Sequence, residues 1–249
     1  MDLARLIGRR KTSRAIPAEA TVASGEAVAL WALLGIPMLI AGFAINPGPP
    51  RSDTTSQLVT YGLNHQAALT VGGWLQVTGT VLVAIFALSV VLSARRANTV
   101  PGVLVLAGST LLVVIGLSEL TAYKVLASGH LSTARVATDV IAGVQLGYSI
   151  VAAPLIFGAL GYLVLQSKVL PRALGSIAIG LGLTFWVCGL ITVVTPIQGF
   201  INLLSVVQAM WWLGAGSFVG ARGLSHIPTD TADQLAAASH PRGSVTEEP

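Results

Sequence analysis

Glu119 lies inside Val103–Ala127, a stretch otherwise composed for lipid. A charged side chain at the centre of a transmembrane helix costs roughly 2.5–3.5 kcal/mol on insertion scales, and less towards the ends. A carboxyl in such a place needs a hydrogen-bonding partner, a proton or a ligand. Three chemistries suit it: a hydrogen-bonded carboxyl that joins helices, a site for a solute, ion or proton, and general acid–base catalysis. Tyr123, four residues on, shares its helix face.

Lys124 and Asp139 form the second constellation. The connection near residues 128–135 is short, so the segments before and after it must run antiparallel as neighbours. If the turn centres between residues 131 and 132, Lys124 faces Asp139 and Glu119 falls near Gln145. The first pair is expected to be a structural ion pair, with the lysine snorkelling to the membrane edge. Glu119 is eight residues, about 12 Å at the helical rise, from the end of its span. Similar depths in other spans reach Gln76, Gln145 and Gln208. These four residues and Tyr123 are the candidate ligand-binding set, whether they converge on one cavity or turn to separate neighbours.

Other chemistry is missing. His65, His130, His226 and His240 fall in loops or tails without ligand-like spacing, so no metal site is expected. Gly180-Leu-Gly182 and Gly214-Ala-Gly216 lack the third glycine and preceding strand of a dinucleotide site. No phosphate loop, nucleophile elbow or axial histidine pair is present, and no cofactor or catalytic residue is assigned. Cys188 is the single cysteine, which excludes an internal disulfide or a Cys-rich metal centre.

The elements that must position these groups are membrane spans. Hydrophobic residues make up 53% of the chain and charged residues 10%, against about a quarter charged in a soluble domain. Six apolar blocks, near 26–46, 67–93, 102–127, 136–166, 173–195 and 200–221, each approach or exceed the roughly 20 residues that cross a bilayer core as helix. The expected fold is all-α, a polytopic bundle of six transmembrane helices. The apolar run after residue 25 has no convincing small-residue cleavage site and is read as a retained first span. Asn46-Pro-Gly-Pro-Pro50 ends it, and Thr195-Pro-Ile-Gln-Gly199 turns into the sixth.

Positive charge sets the threading. Arg5, Arg9, Arg10, Lys11, Arg14, Arg95, Arg96, Lys168, Arg172, Arg222 and Arg242 fall on one side; Arg51, Lys124 and Arg135 fall on the other. Both termini are therefore expected in the cytoplasm, flanking the membrane domain 26–222. Residues 1–25 form a basic tail and 223–249 a disordered one. The net charge of +4 reads as a topology signal; without a basic stripe interleaved with aromatics, no nucleic-acid partner is expected. The excess of arginine over lysine, with abundant Ala, Gly and Val, points to a GC-rich bacterium and its inner (plasma) membrane.

Packing signals complete the reading. Gly143/Gly147 and Gly216/Gly220 allow close helix approach, within the chain or to a membrane-protein partner. Pro37 and Pro154 should kink the first and fourth spans. Trp74, Trp186, Trp211 and Trp212 lie too deep for an interfacial belt and are expected mostly between helices. The 46–66 loop is expected to carry no folded domain.

The turn Val169-Leu-Pro-Arg-Ala-Leu-Gly175, the glycine-rich fifth span and the final Trp211-Trp212…Gly220 segment resemble an uncharacterised bacterial family of six-span integral membrane proteins of unknown function. The resemblance covers most of 26–222 and implies architecture alone. The leading expectation is a non-enzymatic membrane protein that binds or moves a small solute, ion or lipid around Glu119. The alternatives are an integral-membrane enzyme acting on a hydrophobic, isoprenoid-like substrate with Glu119 as acid or base, and a structural subunit of a membrane complex.

Overall fold

The computed structural model describes residues 18–46, 48, 49, 54–94, 96, 99–167, 169–195 and 198–225. The helices are α1 (Ala18–Ile45), α2 (Thr55–Asn64), α3 (Gln66–Ser93), α4 (Val100–Ala127), α5 (Leu131–Gly147), α6 (Ala153–Ser167), α7 (Arg172–Val194) and α8 (Gln198–Ser225). A π-helical segment, Tyr148–Ala152, joins α5 to α6, and no strand occurs among the described residues. Six stretches are long and apolar enough to cross a membrane, with α5, the π segment and α6 forming one of them. Arg5, Arg9, Arg10, Lys11, Arg14, Arg51, Arg95, Lys168, Arg242, His226 and His240 lie outside the described residues, as does the C-terminal tail from residue 226.

Glycine decides which spans touch. A Cβ built on Gly42 would lie 2.8 Å from Gly72 O, and one on Gly79 would lie 2.6 Å from Gly35 O. The backbones of α1 and α3 therefore meet directly, and no other helix pair makes so extensive a contact. The same device recurs on α7, where Gly175 meets Gly161 O, Gly182 meets Gly158 and Gly189 meets Ile150. On α1, α3 and α7 these glycines recur every seven residues, which keeps them on one stripe of each helix. Gly175, Gly182 and Gly189 of the glycine-rich fifth span thus meet the close helix contact expected of them, whereas a Cβ built on Gly180 meets no atom of the described residues within 4 Å.

The four-residue pairs behave differently from one another. Gly216 and Gly220 are occupied within the chain, since built Cβ atoms there meet Ala32 Cβ at 2.7 Å and Ala29 Cβ at 3.2 Å. They are thus filled by α1 and are not a free surface for a partner. Cβ atoms built on Gly143 and Gly147 meet no atom of the described residues within 4 Å, so α5 does not use them for packing against those residues.

The interior forms two apolar clusters. The larger holds Phe86, Phe157, Phe185, Trp211 and Trp212 among aliphatic side chains from α1, α3, α4, α6, α7 and α8. Phe157 stands at its centre, with ring centroids 5.3 Å from Trp211, 5.2 Å from Trp212 and 6.3 Å from Phe185. The Trp211 indole N–H donates to Leu174 O at 2.8 Å, tying α8 to α7. Trp74 and Trp186 correct the expectation for the tryptophans: they are 56% and 47% exposed, on the surface that lipid covers. Their helices turn the glycine stripe inward, which leaves the bulky rings outside.

The smaller cluster lies at the opposite end of the bundle from the start of α1 and the end of α8. It joins Leu58 of α2 and Leu69 of α3 to Ala122, Tyr123, Leu126 and Ala127 of α4 and to Ala134, Ala137 and Ile141 of α5. The helix α2 replaces the irregular loop expected over 46–66. Leu58 and Gly62, four apart, bury one face of it, and Gly62 rests directly on Leu126 O. Gly129, at φ 71°, makes the tight turn from α4 into α5 in a conformation that side chains other than glycine rarely adopt.

The fourth span breaks as its proline demands. Pro154 has no N–H to give, and its ring would press on the carbonyl one turn earlier. The π-helical turn immediately before it absorbs both effects. Pro37 sits inside α1, which continues unbroken through it.

Candidate functional site

Between the two apolar clusters runs a chain of polar side chains contributed by four spans. Tyr123 Oη donates to Glu119 Oε1 at 2.8 Å, and Gln145 Nε2 donates to the same oxygen at 3.0 Å. The tyrosine contact follows from four-residue spacing within α4; the glutamine contact follows from the short antiparallel turn between α4 and α5. Gly73 packs on Leu120 and Tyr123 while Gly116 packs on Val77 and Thr80, a register that sets Gln76 of α3 opposite Glu119.

Gln76 does not reach the carboxylate. Its Nε2 donates to Asn46 O at 3.3 Å, at the end of α1. The Asn46 amide lies beside the Tyr123 hydroxyl without completing a hydrogen bond, and Asn46 Oδ1 accepts from Gly48 N–H at 3.1 Å. Tyr61 of α2 closes this end by donating to Gly48 O at 2.9 Å. Burial pushes the Tyr61 hydroxyl above the ordinary phenol range, so it stays a donor through neutral and moderately alkaline pH.

Two of these atoms are left over. Asn46 Nδ2 and Gln76 Oε1 are buried and have no hydrogen-bond partner. Buried polar atoms in native proteins are nearly always paired, so this donor and this acceptor mark a place of interest beside Glu119. Asn46 was read from sequence only as a helix terminator. Its position next to a Pro-Gly-Pro-Pro turn concealed the fact that it packs back onto Gly72, with a built Cβ there 2.5 Å from Asn46 Cβ.

Gln208 stands apart. Its Oε1 accepts a hydrogen bond from Tyr148 of the π segment, with the tyrosine ring edge-on to Phe185. Tyr148 had not been singled out, since its partner depends on how the π turn rotates the span.

The expected Lys124–Asp139 pair is not formed. Asp139 instead meets Arg135 at 3.5 Å. The helix α5 starts at Leu131, earlier than the sequence suggested, which puts Arg135 and Asp139 four apart on one face. A partner on the same helix turn is nearer than one across the interface. Asp139 thereby sits at the membrane edge with an arginine, and no second carboxylate joins Glu119.

Two open crevices lie beside the cluster without containing Glu119. One, about 230 Å³, is lined by Thr70, Val71, Trp74, Leu120 and Lys124. The other, about 430 Å³, runs between α4 and α5 along Leu117, Thr121, Val125, Val136 and Val140. No group of three His, Cys, Asp or Glu side chains converges among the described residues. Neither a protein family, nor a curated protein, nor a solved structure matches the chain.

Proposed function

We propose that the chain is a non-enzymatic membrane protein that holds a small cation or polar solute among Asn46, Gln76 and Glu119. The observation that supports this reading is the pair of buried, unpartnered atoms, Asn46 Nδ2 and Gln76 Oε1, in the same polar chain as a carboxylate. A cation suits the Glu119 carboxylate and Gln76 Oε1, and a water carried in with it accepts from Asn46 Nδ2. The arginine-rich N-terminal segment and the Ala/Gly/Val bias support a bacterial inner membrane with both termini in the cytoplasm.

The test exploits the geometry of Glu119. Both donors use Oε1, so a glutamine carbonyl at this position can accept both. Glu119→Gln should stay within about 1 kcal/mol of the parent, a shift of roughly 2–4 °C in Tm. Glu119→Leu, which strands the Tyr123 hydroxyl, should cost about 1–3 kcal/mol. Thermal unfolding in detergent is followed against sodium, potassium and methylammonium chloride. The parent should show a saturable rise in Tm with at least one of them and Glu119→Gln none. Equal responses from the two proteins, or no response from either, remove the reading.

A second reading, a subunit of a larger membrane complex, draws on the open face at Gly143 and Gly147. Substituting both with isoleucine should convert an oligomer to a monomer in light scattering without lowering stability. A parent that is already monomeric excludes it.

A further inference from the structure

An apolar crevice between α3 and α4 is bordered near the helix ends by three residues that carry hydrogen-bond donors. Thr70, Trp74 and Lys124 belong to its lining, mostly through their apolar atoms, and the donor atoms they carry have no partner among the described residues. Most other helical threonines described here, among them Thr78, Thr110, Thr121, Thr184 and Thr192, turn the hydroxyl back onto a carbonyl four residues earlier. Thr70 does not. Lys124 carries a positive charge at the outer rim of this crevice, while the acid expected to neutralise it is bound to Arg135.

The order of groups along the crevice is informative. Lys124 lies three residues from the end of α4 and Thr70 four from the start of α3. Both are thus within about 6 Å of the helix ends at the helical rise, and the lysine stem extends outward further still. Trp74 is one turn deeper, beside Leu120 and Val71. From the edge inward the crevice offers a cation with a hydroxyl, then an indole N–H, then apolar surface. A glycerophospholipid presents its complements in the same order: phosphate, ester carbonyl, acyl chain. Val71 and Trp74 are half exposed on the lipid-facing side, so such a molecule enters sideways from the bilayer.

We propose that this crevice is a binding site for an anionic phospholipid, its phosphate on Lys124 and Thr70 and its glycerol ester on the Trp74 indole. The site is distinct from the Glu119 cluster and stands whether or not that cluster binds a solute.

The experiment uses the full chain, delipidated in non-ionic detergent, with retention of added lipid read by native mass spectrometry. Dioleoyl phosphatidylglycerol should bind one per chain, and Lys124→Gln should weaken it about fivefold, the effect of one basic residue at a membrane surface. The same variant should flatten the dependence on salt, Trp74→Leu should also weaken binding, and Arg135→Gln should leave it unchanged. Phosphatidylcholine should bind at least several-fold more weakly than phosphatidylglycerol, and sn-glycerol 3-phosphate should not compete. Unchanged retention in Lys124→Gln overturns the proposal, as does an equal loss in Arg135→Gln. Full competition by the soluble phosphate also overturns it, reassigning the crevice to a free anion. If Lys124→Gln fails to fold, Thr70→Val carries the same comparison.

Discussion

Phe157→Ala should destabilise the bundle by about 3–5 kcal/mol, the range for removing a large aromatic side chain from a packed core. Phe157 is 1% exposed and its ring touches three others, Phe185, Trp211 and Trp212, which belong to two different helices. Collapse around the missing ring is opposed on both sides. Trp211 is held by its hydrogen bond to Leu174 O, and Phe185 by the glycine stripe that fixes α7 against α6. Leu183→Ala makes the contrast: at 60% exposed it faces lipid, and its loss should change stability by no more than about 0.5 kcal/mol. Unfolding in mixed micelles, followed by tryptophan fluorescence, measures both. A Phe157→Ala protein within 1 kcal/mol of the parent would show that the aromatic cluster does not hold α6, α7 and α8 together.

The second large effect is at Gly72. A Cβ there would stand 2.5 Å from Asn46 Cβ, 2.9 Å from Gly42 O and 3.0 Å from Asn46 N. Two of the three are backbone atoms, so no rotamer change relieves the clash, and α1 must move off α3. Gly72→Ala should therefore cost about 1–3 kcal/mol, the range for overpacking, and Gly72→Leu more. The movement also carries Asn46 away from Gln76, so solute binding should fall together with stability. Gly147→Ala should have the opposite sign. Nothing lies within 4 Å of it, so the variant should gain roughly the 0.5–1 kcal/mol by which alanine exceeds glycine inside a helix. Measuring both variants in one unfolding assay tests whether close helix approach or helix propensity governs glycine in this chain.

The spans were legible because the bilayer imposes a length and an apolarity that survive any detail of packing. Glu119 and Tyr123 come together by helical spacing alone, and Gln145 reaches them because a short turn leaves α5 no other direction to run. The remaining partners depend on the rotation of each helix about its axis, which hydropathy does not encode. Lys124 and Asp139 missed each other because α5 begins at Leu131. Asn46 and Tyr148 were overlooked because one looked like a loop residue and the other lies where the helix changes its winding. The Gly35/Gly42 and Gly72/Gly79 spacings held the information about α1 and α3.

The π turn at Tyr148–Ala152 divides the fourth span into two rods with separate allegiances. The first rod, α5, belongs with α4 and α2; the second, α6, belongs with α7 and α4. The wider winding shifts the angular phase of everything after it, so the buried stripe of α5 does not continue into α6. A helical wheel drawn across Leu131–Ser167 superimposes two different faces and obscures both. Each half has to be phased on its own, and in chains with a comparable mid-span proline a blurred wheel can signal a change of neighbour where it would otherwise suggest weak amphipathicity.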